Sequence, residues 1–158
     1  MVAQMTKPKH FIIDVDGVLT TGQFLYTKDG KFAKVFGPHD NDGVKLLGKL
    51  INIEAVSADK RGFEITKKRV EDDMKLKLTL VSEGERLDWF KKNFNLAETI
   101  YMGDGMHDAE IFSNVSYSIA PASAFYLARE KASFVTTHKA GEGAVAEACL
   151  HIKDKFFK

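Results

Sequence analysis

The sequence predicts an α/β fold built on a doubly wound parallel sheet, with helices on both faces, a protruding β-hairpin and no separate cap domain. Three observations carry that expectation. Short apolar segments of strand type recur along the chain, segments of helical period lie between most of them, and two aspartates close the first apolar run. A parallel sheet covered by helices is buried on both faces, so its strands read as continuous apolar runs.

In chain order, the strand signals are residues 11–15, 53–56, 78–81, 99–102, 116–120 and 134–136. Helical period joins Val44, Leu47, Leu50 and Ile51 on one face, Leu87, Phe90 and Phe94 on another, and Val145, Cys149, Ile152 and Phe156 near the end. Ser82 precedes Glu85 by three residues, the spacing of a capping box, which places Arg86 in a first helical turn. The alternation breaks at residues 22–37. There Phe24, Tyr26, Phe32 and Val35 flank the turn-forming Lys28-Asp29-Gly30-Lys31, the pattern of a hairpin.

The 158 residues suit one domain over 1–158, too short for a catalytic domain plus a large lid. A 44% hydrophobic fraction with 12 Gly and 3 Pro is ordinary for a globular chain. No apolar run approaches the roughly 18 to 20 residues of a membrane span. Asp14 and Asp16 interrupt the run that starts at Phe11, so no secretory leader is expected. With 23 basic and 22 acidic side chains the formal charge is +1, which gives no global attraction to nucleic acid or anionic lipid. Cys149 stands alone, which fits a cytoplasmic protein, and is read as helix core.

The most informative segment is Phe11-Ile-Ile-Asp14-Val-Asp16-Gly17-Val-Leu-Thr20. In open parallel sheets functional groups gather at the carboxyl ends of strands, where two carboxylates can share a hard divalent cation. A carboxylate can also attack phosphorus while a neighbour handles the leaving group's proton. A calcium loop is the wrong frame: it needs a preceding helix and a closing glutamate, and Leu25 occupies that final position. A turn with two solvated aspartates is the simpler competitor. It weakens once a second acidic segment, Gly103-Asp104-Gly105-Met106-His107-Asp108, is seen to follow the strand signal at 99–102. Asp104 is placed to ligate an ion and Asp108 to orient a ligand or bound water.

These two segments resemble the first and fourth motifs of the haloacid dehalogenase superfamily of phosphotransferases. The resemblance implies a Rossmann-like fold in which Asp14 is the nucleophile and Asp16 the general acid and base. It also implies that Asp14, the Asp16 backbone carbonyl and Asp104 hold Mg2+. It assigns Ser57, at the end of the second strand signal, and Arg86, where lysine is usual, to the phosphoryl group. Asp16 and Ser57 lie 41 residues apart, and Ser57 and Arg86 lie 29 apart, which leaves no room for an inserted lid. An open site must be covered by something else, and a neighbouring subunit is the economical answer.

The chain is similar to the lidless branch of that superfamily, which acts on octulosonate and nonulosonate phosphates, over nearly its whole length. Asp16-Gly-Val-Leu-Thr20, Lys34-Val-Phe36 with Asp40-Asn-Asp-Gly43, and Gly141-Glu-Gly143-Ala-Val145-Ala-Glu147 carry that likeness. It implies a homotetramer built through hairpins and a small phosphorylated sugar acid as substrate, with Asp16, Asp40 and Lys60 as candidate substrate contacts. Two departures stand out. Ala58-Asp59-Lys60-Arg61 follows Ser57 where the branch has Gly-Arg, and Ala146 replaces a usual arginine.

Gly141-x-Gly143-x-x-Ala146 mimics a dinucleotide fingerprint but has no following strand to complete the unit. The five histidines lack metal-site spacing; His39 and His107 are candidates to approach substrate. The leading expectation is a cytoplasmic Mg2+-dependent phosphatase for an acidic sugar phosphate. The rival is a non-catalytic assembly module associated with a sugar-activating cytidylyltransferase.

Overall fold

The computed structural model describes residues 6–158. The first half of the chain forms β1 (His10–Asp14), β2 (Thr20–Thr27), β3 (Gly30–Phe36), α1 (His39–Leu47), β4 (Asn52–Ser57), α2 (Phe63–Lys67) and β5 (Lys77–Leu80). It continues with α3 (Arg86–Asn93), β6 (Thr99–Met102), α4 (Asp108–Phe112), β7 (Tyr117–Ala120), α5 (Tyr126–Lys131), β8 (Phe134–Val135) and α6 (Ala144–Phe156).

Six strands make one parallel sheet in the order β5-β4-β1-β6-β7-β8. The chain winds outward from β1 in both directions, so β1 flanks the point where the strand order reverses, the position at which open α/β sheets form their ligand crevice. Phe11 sits opposite Ile53 and Ile100, and Ile13 opposite Ala55 and Met102.

The period of two along β1 divides the core. Phe11 and Ile13 face a cluster that contains Val44 and Leu47 of α1 and Val145, Cys149 and Ile152 of α6. Ile12 faces the opposite cluster, with Phe90 of α3, Ile111 and Phe112 of α4 and Ala128 of α5. Cys149 is fully buried, as helix core requires.

Several boundaries differ from the sequence expectation. Helix α1 begins at His39 and stops at Leu47. The Leu47 carbonyl then accepts the N–H groups of Leu50 and Ile51 at 2.9 and 3.2 Å, turning the chain so that Leu50 is 47% exposed. Helices α4 and α5 span five and six residues, too short for a face of helical period to register, while α2 runs on into a wider π-helical stretch over Lys68–Asp73. Ser82 does not cap a backbone N–H. Its hydroxyl donates to the Glu85 carboxylate at 2.9 Å, and a 3-10 turn over Glu83–Glu85 leads into α3.

The hairpin is two residues longer at its start than expected, because Thr20 pairs with Phe36. Gly30 closes its turn at φ 116. Packing beneath the hairpin is tight, since a Cβ on Gly37 would overlap the Gly141 carbonyl. The Gly141 to Gly143 segment thus serves as a seat for the hairpin and leads into α6, with no strand after it. No described helix is long and apolar enough to cross a membrane.

Candidate active site

Asp14 is the last residue of β1 and follows Ile12 in register, so it faces the layer of α3 and α4. The chain then leaves the sheet in a single irregular turn, with Asp16 extended (φ −76, ψ 117) and Gly17 left-handed (φ 84). Glycine is needed at 17 twice over. Its φ disfavours a side chain, and a Cβ there would overlap the Asp104 carboxylate. The Thr20 hydroxyl fixes the turn by accepting the N–H groups of Gly17 and Gly22, both at 3.1 Å.

Strand β6 ends beside β1 and delivers the second acidic segment. Asp14, Asp104 and Asp108 each present a carboxylate oxygen within 4.8 Å of the others. Asp108 is engaged by protein donors: Oδ2 accepts the N–H groups of Asp104 and Gly105 at 2.9 Å, and Oδ1 accepts the Tyr101 hydroxyl at 2.6 Å. It shapes the loop that presents Asp104. Burial raises the Asp14 carboxyl well above its usual range; Arg86 opposes that rise, while Asp108, Asp104 and Asp16 add to it. Burial and then the Asp108 charge push Asp104 up to about 7.

Arg86, 3% exposed at the start of α3, is the cation of this cluster. Its Nη1 lies 3.2 Å from Asp14 Oδ1, 3.6 Å from Asp108 Oδ1 and donates to the Tyr101 hydroxyl at 3.0 Å. Burial works against the guanidinium charge, but Tyr101, Asp14 and Asp108 outweigh it and raise its pKa.

Asp16 is held by a separate set. Ser57, at the end of β4 and fully buried, donates to Asp16 Oδ2 at 3.2 Å. Lys34 of the hairpin places Nζ 2.7 Å from Asp16 Oδ1, 2.9 Å from Asp59 Oδ2 and 2.7 Å from the Thr66 hydroxyl. The Ser57 hydroxyl in turn accepts the Asp59 N–H at 3.1 Å.

A cavity of about 720 Å³ opens over these residues. Asp14, Asp16, Arg86, Asp104, Asp108 and His107 line it, and Ser57 lies just beneath through its bond to Asp16. His107 also pairs with Glu83 at 3.2 Å. The structure places two of the expected substrate contacts away from this wall. Asp40 is 2% exposed and accepts the Ala146 N–H at 3.0 Å, so it caps the first turn of α6 from α1 and is absent from the cavity wall. Lys60 is exposed and also absent from that wall; its neighbour Asp59 lines the cavity instead. His39 is likewise not among the lining residues.

The family of haloacid dehalogenase-like hydrolases matches residues 89–149. The 3-deoxy-D-manno-octulosonate 8-phosphate phosphatase of Haemophilus influenzae is 31% identical over 152 residues, covering 93% of this chain and 83% of that one. The chain belongs to the haloacid dehalogenase-like phosphatases. The phosphatase of the same name from Escherichia coli K12 is 29% identical over 158 residues, covering 94% of this chain and 81% of its own. Among solved structures, the cobalt-bound Haemophilus influenzae phosphatase superposes with a TM-score of 0.81 at 29% identity, over 94% of this chain and 88% of that one. A probable phosphatase from Pseudomonas syringae gives 0.83 at 27%, over 94% and 86%.

A divalent metal fits this haloacid dehalogenase-like site on its own chemistry. The Asp14 and Asp104 carboxyls, raised by desolvation and neighbouring negative charge, belong to an all-oxygen donor set whose repulsion a hard cation relieves. Reading the sequence did not single out Tyr101, Lys31, Lys34 or Asp59 within this site. Tyr101 reads as one more core aromatic in a buried strand, and the other three meet only because the hairpin folds back over the β4 loop.

Proposed function

We propose that the chain is a magnesium-dependent phosphatase that hydrolyses a small acidic sugar phosphate, of the octulosonate 8-phosphate or nonulosonate 9-phosphate type, through an aspartyl-phosphate intermediate. The observation that carries this reading is the closed set of Asp14, Asp104 and Asp108 with Arg86 at the carboxyl ends of β1 and β6. The names of the curated relatives support the substrate class.

Asp14, the Asp16 carbonyl and Asp104 are the residues that hold Mg2+, with Asp108 fixing the Asp104 loop through its two backbone bonds. A bound ion would supply positive charge where negative charge gathers during phosphoryl transfer. Arg86 serves the phosphoryl group; Ser57, expected there too, gives its one proton to Asp16 Oδ2 in the structure. Asp14 attacks phosphorus as a carboxylate, and the phosphorus to sugar oxygen bond breaks while Asp16 gives its proton to that oxygen. Asp16 then takes a proton from water, the water oxygen bonds to phosphorus, and the acyl phosphate bond to Asp14 breaks to release inorganic phosphate.

The Ser57 donation to Asp16 Oδ2, with the Lys34 ammonium 2.7 Å from Oδ1, orients the Asp16 side chain. Among the described residues no inserted lid covers the site, and Tyr26, Phe32 and Val35 of the hairpin are 60%, 56% and 44% exposed. That apolar surface supports assembly of the chain as a homotetramer through its hairpins. The test is phosphate release with Mg2+ from a panel of sugar phosphates by the native chain and by Asp14→Asn. Release by the native chain alone supports the reading, and a native chain inert across the panel refutes it.

A further inference from the structure

Two side chains lining the cavity carry a fixed positive charge, and they are committed differently. Arg86 lies buried against Asp14, Asp108 and Tyr101, at the phosphoryl end. Lys31 reaches the cavity from β3 of the hairpin. Its Nζ is 2.6 Å from Asp59 Oδ2 and 3.5 Å from the centre of the Phe24 ring, and its side chain is only 6% exposed.

This arrangement is built rather than incidental. Asp59 Oδ1 accepts the Gly62 N–H at 3.1 Å, while Oδ2 is shared between Lys31 and Lys34. A Cβ on Gly62 would lie 2.8 Å from Lys34 Cε and 3.0 Å from Lys31 Cδ, so both lysines pack directly on that glycine. Burial raises the Asp59 carboxyl, but bonds from Lys31, Lys34 and Gly62 outweigh it and hold it at about 2. Asp59 therefore stays ionised at neutral pH.

The two clamped lysines have different capacity left. Lys34 donates to the Thr66 hydroxyl, lies between the Asp16 and Asp59 carboxylates at 2.7 and 2.9 Å, and has a fully buried side chain. Lys31 gives one donor to Asp59 and covers another side with the Phe24 face, so it keeps donor capacity for a ligand. An ammonium has no acceptor, so its further partner is an accepting oxygen, and a carboxylate makes the stronger, charge-assisted bond. Phe24 also lines the cavity and adds an apolar face beside the charge, which suits an anion carried on a carbon skeleton.

We propose that Lys31, clamped to Asp59, is a specificity-determining cation of this site and takes the carboxylate of a substrate that carries both a phosphate and a carboxylate. The assignment rests on the acidic sugar phosphate reading above. It places the second anion at the hairpin side of the cavity, opposite in role to the Arg86 end, so that one substrate is read at two charges.

The experiment compares kcat/KM for 3-deoxy-D-manno-octulosonate 8-phosphate and for glucose 6-phosphate, which lacks a carboxylate, in the native chain, Lys31→Gln, Lys31→Arg and Asp59→Asn. The expected result is a ratio lowered by about ten- to a hundredfold in Lys31→Gln, mostly through KM, and largely restored in Lys31→Arg. Asp59→Asn removes the anion that holds Lys31 in place and is expected to move the ratio by more than twofold. A ratio within twofold of native in both Lys31→Gln and Asp59→Asn, or a native chain that does not prefer the carboxylated ester, overturns the assignment while leaving the phosphatase reading intact. A native chain that releases phosphate from neither ester and from nothing else in the panel defeats both.

Discussion

Arg86 places one nitrogen, Nη1, 3.2 Å from Asp14 Oδ1 while the same nitrogen donates to the Tyr101 hydroxyl at 3.0 Å. The cation is thus tied to the sheet through Tyr101 and offered to the nucleophile from a fixed direction. Replacing Arg86 with Met removes the charge and leaves Asp14 and Asp108 facing each other, so kcat/KM is expected to fall by about 10² to 10³-fold. Arg86→Lys restores a point charge without the fork and is expected to stay within about tenfold of native. Steady-state kinetics on one ester distinguishes the two; equal losses would argue that the guanidinium's shape, and not its charge, is what the site needs.

The raised carboxyls of Asp14 and Asp104 link metal to pH. An acid whose folded pKa lies above its unfolded value contributes stability at low pH and loses it as pH rises through the folded value, here about 7 for Asp104. Chelated protein should therefore lose Tm between pH 5 and 8. Magnesium binds the deprotonated set, so the Tm difference between loaded and chelated protein should widen over the same interval. Thermal unfolding at several pH values, with Mg2+ or with EDTA, measures it, and a constant difference would contradict this account.

Gly17 meets the acidic loop through its bare Cα. Gly17→Ala sets a methyl against the Asp104 carboxylate at a φ of 84, and the strained backbone alone costs about 1–2 kcal/mol. The expected outcome is a Tm several degrees lower together with a higher Mg2+ concentration for half-maximal activity. A variant with native metal dependence would show that the Asp104 loop yields freely.

The hairpin's exposed Tyr26 and Phe32 predict self-association. Tyr26→Lys with Phe32→Lys should shift the mass measured by light scattering toward the monomer. A native chain that is already monomeric at micromolar concentration would remove the proposed role of these residues.

The parts legible in the sequence are those whose signal is local. Strand β1 and its neighbours are apolar runs with turn residues at both ends, and Asp14 and Asp16 betray themselves because carboxylates have little structural reason to end such a run. What stays hidden depends on distant partners. Tyr101 looks like core until Arg86 and Asp108 are seen on its hydroxyl, and Asp59 looks like a loop acid until two hairpin lysines arrive on it. Asp40 hides its partner too: its acidic segment suggests a ligand contact, and in the structure its carboxylate closes the start of α6 more than a hundred residues away in sequence.

That same bond bears on how the chain reaches its native state. The face of β1 that carries Phe11 and Ile13 is covered in part by α6, the final helix, which docks on α1 through Asp40 and through the bare Gly43 beside Ala146. During synthesis the first strand emerges long before its cover does, and a nascent chain halted before Ala144 leaves this apolar layer open to solvent. Completion of the core is a late, long-range event, so folding should be slow relative to a helical bundle of this size and should depend on the whole chain being released.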